Sequence, residues 1–114
     1  VTPIPKAQRD LLKIRSQGRC EVCGVAPATN FHHRKNRSQG GAHDLSNALH
    51  VCGSGTTGCH GWITEHPIKA FDNGWSVRSS QVPAEVVVKR KGQWVWLDDL
   101  GYVTPTERGA SWDG

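Results

Sequence analysis

Four cysteines constrain this chain more than any other feature. They fall as two pairs, Cys20-x-x-Cys23 and Cys52-x6-Cys59, with 28 residues between the pairs. The first pair has the spacing at which two thiolates share one tetrahedral ion. The second is looser, but its interior, GSGTTG, holds three glycines, so a tight excursion can return Cys59 to the site of Cys52. Three readings compete: a structural Zn(Cys)4 site, two disulfides, and a redox-active CxxC. The redox reading leaves the second pair unexplained and lacks a strand–helix context. Zinc explains most, because ligation supplies on the order of 10 kcal/mol of folding free energy.

Such help is needed. The 114 residues suit one domain. A chain of this size buries roughly 65% of its unfolded surface, and only 36% of the residues are apolar. Lysine and arginine number 14 against 10 acidic residues, a net charge of +4. The basic residues cluster: Lys6, Arg9, Lys13, Arg15 and Arg19; then Arg34, Lys35 and Arg37; then Lys89, Arg90 and Lys91. Such clusters favour nucleic acid as a partner over solvated faces alone. No apolar run approaches the ~18 residues of a membrane span, and the opening VTPIPKAQRD lacks an apolar signal core. We therefore expect no membrane segment and an intracellular, cytoplasmic setting, where thiols stay reduced.

Along the chain, KAQRDLLKIRSQG predicts a short amphipathic helix with Leu11, Leu12 and Ile14 as a thin apolar stripe and Gly18 as its stop. Residues 31–34 and ALHV (48–51) predict two short strands joined by a polar, Gly-containing loop. From Cys59, CHGWITEH predicts a short helix with Trp62 and Ile63 inward, and Pro67 interrupts it or starts another that Gly74 ends. AEVVVKR and QWVWLDD around a Lys-Gly turn predict a hairpin, with Trp94, Trp96 and Trp112 covering the core.

Within the cysteine frame lie His32, His33, Asn47 and His60. The pair His32–His33 sits in FHHRKN, and His60 directly follows the fourth cysteine. In order, CEVCG, HH, GGAHDLSNALHVCG and GCHGW resemble the HNH nuclease family, over residues 20–66. The tail NGWSVRS…VPAEVVVKRKGQWVWLDDLGY looks, more weakly, like that of phage-encoded HNH proteins. The resemblance implies an α+β chain: a zinc-stapled ββα-metal core (20–66) between an N-terminal helix (1–19) and a helix and β-hairpin tail (67–114), in one domain.

By the same resemblance, His33 is the general base that activates water, and Asn47 fixes the loop that orients it. His32 and His60 ligate a catalytic divalent ion, while Cys20, Cys23, Cys52 and Cys59 hold a separate structural zinc. Mg²⁺ or Mn²⁺ is the expected catalytic ion, although two imidazoles also suit Ni²⁺, Co²⁺ or Zn²⁺. The implied reaction hydrolyses DNA phosphodiesters to a 5′-phosphate and a 3′-hydroxyl, nicking one strand per visit. A histidine suits the base because its pKa lies near 6.5. Adjacent strand residues face apart, so His33 is expected on the water side and His32 beside His60.

Arg34, Lys35 and Arg37 are expected to contact phosphates. His43 and His50 are expected to be structural or solvated, and His66 lies off the helical face of His60. Thr64 stands where some relatives carry a further histidine. The implied partners are DNA and, as further candidates, phage terminase or packaging proteins, acting on a monomer or weak dimer in the bacterial host cytoplasm. The alternatives are a non-catalytic zinc-dependent DNA-binding module and an accessory subunit of a phage packaging complex.

Overall fold

The computed structural model describes residues 3–106. Helix α1 (Lys6–Ser16) follows Pro5 and stops where Gln17 and Gly18 turn left-handed, at φ of 56° and 75°. Of the expected stripe only Leu12 is buried, against Leu45, Ala48 and Phe31; Leu11 and Ile14 face solvent. Polar contacts hold α1 more than apolar ones do. The Arg15 guanidinium grips both Glu21 carboxylate oxygens at 2.9 and 2.8 Å and donates to the carbonyls of Leu45 and Ala48. Glu21 also accepts from Arg90 at 2.7 Å and from the His50 N–H at 2.8 Å. Burial opposes its ionisation, but the two guanidiniums outweigh burial and hold its pKa below the usual range. Arg15 and Arg90, counted above among the basic clusters, are thus internal ties.

The central strands form where the β pattern predicted them. β1 (Asn30–His33) pairs antiparallel with β2 (Ala48–Val51), setting His32 opposite Leu49 and His33 opposite Ala48. Leu49 and Val51 join Cys20, Cys52, Val88, Val95 and Leu97 in the main apolar cluster. Helix α2 (Gly58–Glu65) buries Ile63, and Pro67 starts α3 (Pro67–Asp72), which Gly74 ends at φ 74°. Trp62 departs from expectation. It stands at the surface, stacked on His66 at 4.1 Å and edge-on to Trp75.

The tail is a three-stranded antiparallel sheet rather than a lone hairpin: β3 (Val88–Arg90), β4 (Gln93–Leu97) and β5 (Val103–Pro105). Lys91 and Gly92 make the tight turn, both at positive φ, as the right-handed strand twist favours. β3 is shorter than predicted because Pro83–Glu85 forms a 3₁₀ turn. Alternation along β4 turns Val95 and Leu97 inward, leaving Trp94 half-buried, as a residue covering the core would be, and Trp96 exposed. Trp112 lies outside the described residues. Among the described residues, no helix is long and apolar enough to cross a membrane.

Candidate metal centre and histidine cleft

Backbone geometry brings the four thiols together. Cys20 and Cys23 flank a turn closed by Gly24 N–H to the Cys20 carbonyl and Cys20 N–H to the Ala26 carbonyl, both at 2.9 Å. Cys52 ends β2's run, and the GSGTTG excursion folds back so tightly that a Cβ on Gly53 would lie 2.0 Å from the Thr57 carbonyl oxygen. Cys59, at the start of α2, then donates its N–H to Cys52 Sγ at 3.4 Å. All four Sγ atoms lie within 4.8 Å of one another. Tetrahedral zinc, with Zn–S near 2.3 Å, needs sulfurs about 3.8 Å apart, so the set fits a structural metal such as zinc.

The thiols are electrostatically unequal. Burial opposes ionisation of Cys23, but the N–H groups of Ala26 and Val25 hold its pKa down to about 6. Burial pushes Cys52 and Cys59 up, and the neighbouring sulfurs push Cys59 further. Bringing all four to the thiolate form would need a cation among them.

One residue beyond Cys59, the chain enters a cleft of ≈ 450 Å³ whose walls include His32, His33, Arg37, His60, Thr64 and Phe71. The ring centroids of His32 and His60 are 5.6 Å apart, with planes at 86°. Each ring is tied to the backbone: His32 Nε2 donates to the Trp75 carbonyl at 2.8 Å, and His60 Nδ1 to the Ser54 carbonyl at 2.9 Å. A carbonyl can only accept, so in the neutral rings the lone pairs fall on His32 Nδ1 and His60 Nε2. Such backbone ties orient metal-ligating imidazoles in many proteins. Burial, aided by repulsion from His60, His33 and Arg34, holds the His32 pKa down to about 4 and keeps the ring neutral.

His33 projects to the other side of β1. Its Nε2 lies 2.9 Å from His43 Nδ1, and its ring packs 4.9 Å from Phe31. Burial lowers its pKa, with His43 and Arg37 adding repulsion. Asn47 is buried and fully engaged: its side chain accepts from Lys35 N–H at 2.7 Å and donates to the carbonyls of Lys35 and Ala42, both at 2.9 Å. It thereby clamps the two ends of the intervening loop.

The phosphate contacts need correction at Arg34. This side chain is 2% exposed, and its guanidinium donates to the carbonyls of Gly74, Ser46, Pro83 and Val86 at 2.7–3.0 Å. Burial lowers its pKa to about 9, still above neutrality, so it enters the interior as a cation. Four of its five N–H donors are engaged on interior carbonyls, so it serves mainly as a tie within the fold. Arg37 does reach the cleft wall and is exposed, and Lys35 Nζ touches the Ser79 carbonyl at 3.1 Å near the surface. Next to Ser79, the exposed Arg78 guanidinium lies 4.4 Å over the ring of Phe71, a cleft residue.

His50 fits a structural role, with Nδ1 2.7 Å from the Ser16 hydroxyl. His66 stacks on Trp62, whereas Thr64 lines the cleft and donates to the His60 carbonyl. His43 is not simply solvated, since its ring meets His33, a contact that a structural role also accommodates. A lone histidine in a polar loop gave no periodic signal that could have found it, and Arg78 likewise stood alone in sequence. Comparison with protein-family models, with curated proteins and with solved structures finds no match for this chain.

Proposed function

We propose that this chain is a metal-dependent HNH-type endonuclease, with residues 30–65 forming a ββα-metal core. The observation that carries the reading is the division of adjacent histidines on one cleft wall: His32 turns to His60, and His33 turns to His43. A module that only bound DNA would have no need of two imidazoles with lone pairs set by carbonyls.

The donor set fits a divalent ion loosely held. His32 and His60 would provide two ligands, and among the described residues no further His, Cys, Asp or Glu completes a group of three there. Mg²⁺ or Mn²⁺, or an imidazole-preferring ion such as Ni²⁺, Co²⁺ or Zn²⁺, would supply charge neutralisation of the phosphodiester and of its leaving oxygen. The chain's own residues do the rest. His33, neutral because burial lowers its pKa, takes the proton from the attacking water. Asn47 holds the loop against which His33 rests. Lys35, Arg37 and Arg78 meet backbone phosphates at the rim, and Arg34 lends a fixed positive charge from beneath.

The test is supercoiled plasmid with zinc-loaded protein in Mg²⁺, Mn²⁺ or Ni²⁺. Conversion to nicked circles carrying 5′-phosphate ends, lost in His60→Ala, is expected. Plasmid that stays supercoiled with all three ions would instead favour a non-catalytic zinc-dependent DNA-binding module.

A further inference from the structure

The contact between His33 and His43 has two possible polarities, and they differ in chemical consequence. If His43 Nδ1 donated, His33 Nε2 would carry the lone pair and Nδ1 the hydrogen, so the lone pair would be used up inside the protein. If His33 Nε2 donates, its Nδ1 keeps the lone pair for an outside proton. We propose that His43 is a positioning residue for His33: its Nδ1 accepts the Nε2–H of His33 and so fixes both the tautomer and the ring plane of the base. The inference rests on the endonuclease reading above, which assigns His33 as that base.

Three features make His43 rigid enough for the task. The loop before it leaves the 3₁₀ turn Arg37–Gln39 through Gly40 at φ 86°. At Gly41 the backbones approach so closely that a Cβ would lie 1.7 Å from the Lys35 carbonyl oxygen. The backbone is then pinned on both sides of the imidazole: Asn47 donates to the Ala42 carbonyl, and Gln8 of α1 donates to the His43 carbonyl, both at 2.9 Å. Finally, Phe31 packs against both rings, at 4.9 Å from His33 and edge-on at 6.4 Å from His43. His33 and His43 are themselves 5.1 Å apart between centroids. The loop that Asn47 clamps therefore ends in a side chain aimed at the base, which links Asn47 to His33 through His43.

When His33 takes a proton at Nδ1, both of its nitrogens become donors. The Nε2–H···Nδ1 bond to His43 then becomes charge-assisted and stronger, and no further proton has to move for the pair to hold the imidazolium.

The experiment compares wild type, His33→Ala, His43→Ala and His43→Asn, each with zinc content measured. Asparagine carries Oδ1 near the position of the imidazole Nδ1, so it keeps an acceptor. His43→Ala is expected to lower kcat by about 10- to 100-fold with KM little changed, and His43→Asn to recover most of it. Unchanged kcat in His43→Ala, while His33→Ala is inactive, would overturn the positioning role and leave the base assignment standing. Wild-type cleavage by His33→Ala would overturn both. A second readout is independent of cleavage. Imidazole ¹⁵N spectra at about pH 8, where histidines are neutral, should show His33 protonated at Nε2 alone in wild type and as a tautomer mixture in His43→Ala. The same single tautomer in both proteins would overturn the proposal even if no preparation cleaves DNA.

Discussion

Cys59 and His60 are consecutive residues of α2, yet they face sites built on opposite plans. The cysteine site has four donors of one kind, drawn together within 4.8 Å and wrapped by backbone N–H groups. The histidine site has two imidazoles across an open cleft. A complete tetrahedral set leaves no position for substrate and serves the fold; an incomplete set leaves room for water and phosphate. The two plans share a part. The loop that returns Cys59 to Cys52 also presents the Ser54 carbonyl that orients His60. Dependence should therefore run one way: losing the cysteine site dismantles the cleft, whereas losing a cleft histidine leaves the cysteine site whole.

The largest effect probes that asymmetry. Cys23→Ala is expected to lose its zinc and its fold together, since structural zinc supplies on the order of 10 kcal/mol. Far-UV circular dichroism with metal analysis measures this, and a folded, zinc-free Cys23→Ala would break the contrast.

Next comes Arg34, beneath the cleft. Arg34→Ala strands the carbonyls of Gly74, Ser46 and Val86 and takes from the Pro83 carbonyl one of its two partners, the other being the Val86 N–H. It should cost about 3–5 kcal/mol in urea unfolding. A phosphate-binding arginine would instead leave stability unchanged and weaken DNA binding.

The third effect is acid sensitivity. His32 is held down to about 4 in the folded chain, against about 6.5 unfolded. Between those values the unfolded chain binds more protons, so this contribution is fully present above about pH 6.5 and is lost as the pH falls toward about 4. It amounts to roughly 3 kcal/mol at most. Urea midpoints across that range should fall more steeply in wild type than in His32→Asn, and equal slopes would show that His32 is not buried neutral.

The smallest effect lies at the rim. Arg37→Gln and Arg78→Gln should each reduce the slope of log affinity against log salt on duplex DNA by about 0.9. Their stability should stay within about 0.5 kcal/mol of wild type.

Local pattern made part of this molecule legible in advance. The strands at Asn30–His33 and Ala48–Val51, the helix Gly58–Glu65 and the gathering of the cysteines follow from alternation, glycine placement and ligand spacing. The opposed faces of His32 and His33 follow from strand geometry alone. Long-range polar contacts were not legible. Arg34 finds carbonyls up to 52 residues away, and Arg90 meets Glu21 across 69. A basic side chain looks the same in sequence whether it faces solvent or replaces missing apolar core. β5 carried too little alternation to register, because only Val103 of its three residues is even half-buried. His43 depended on a glycine-shaped loop whose path is set by Asn47 and Gln8 rather than by its own neighbours.

The central claim is that the cysteines hold the fold while the histidine cleft performs the chemistry. Nicking of supercoiled plasmid by wild type and His33→Ala, with zinc stoichiometry and thermal melting recorded on the same preparations, tests it most directly. The expected result is one zinc per chain and matching melts in both, with cleavage at least ~10²-fold slower in His33→Ala. A folded, zinc-loaded His33→Ala that nicks at the wild-type rate would contradict it.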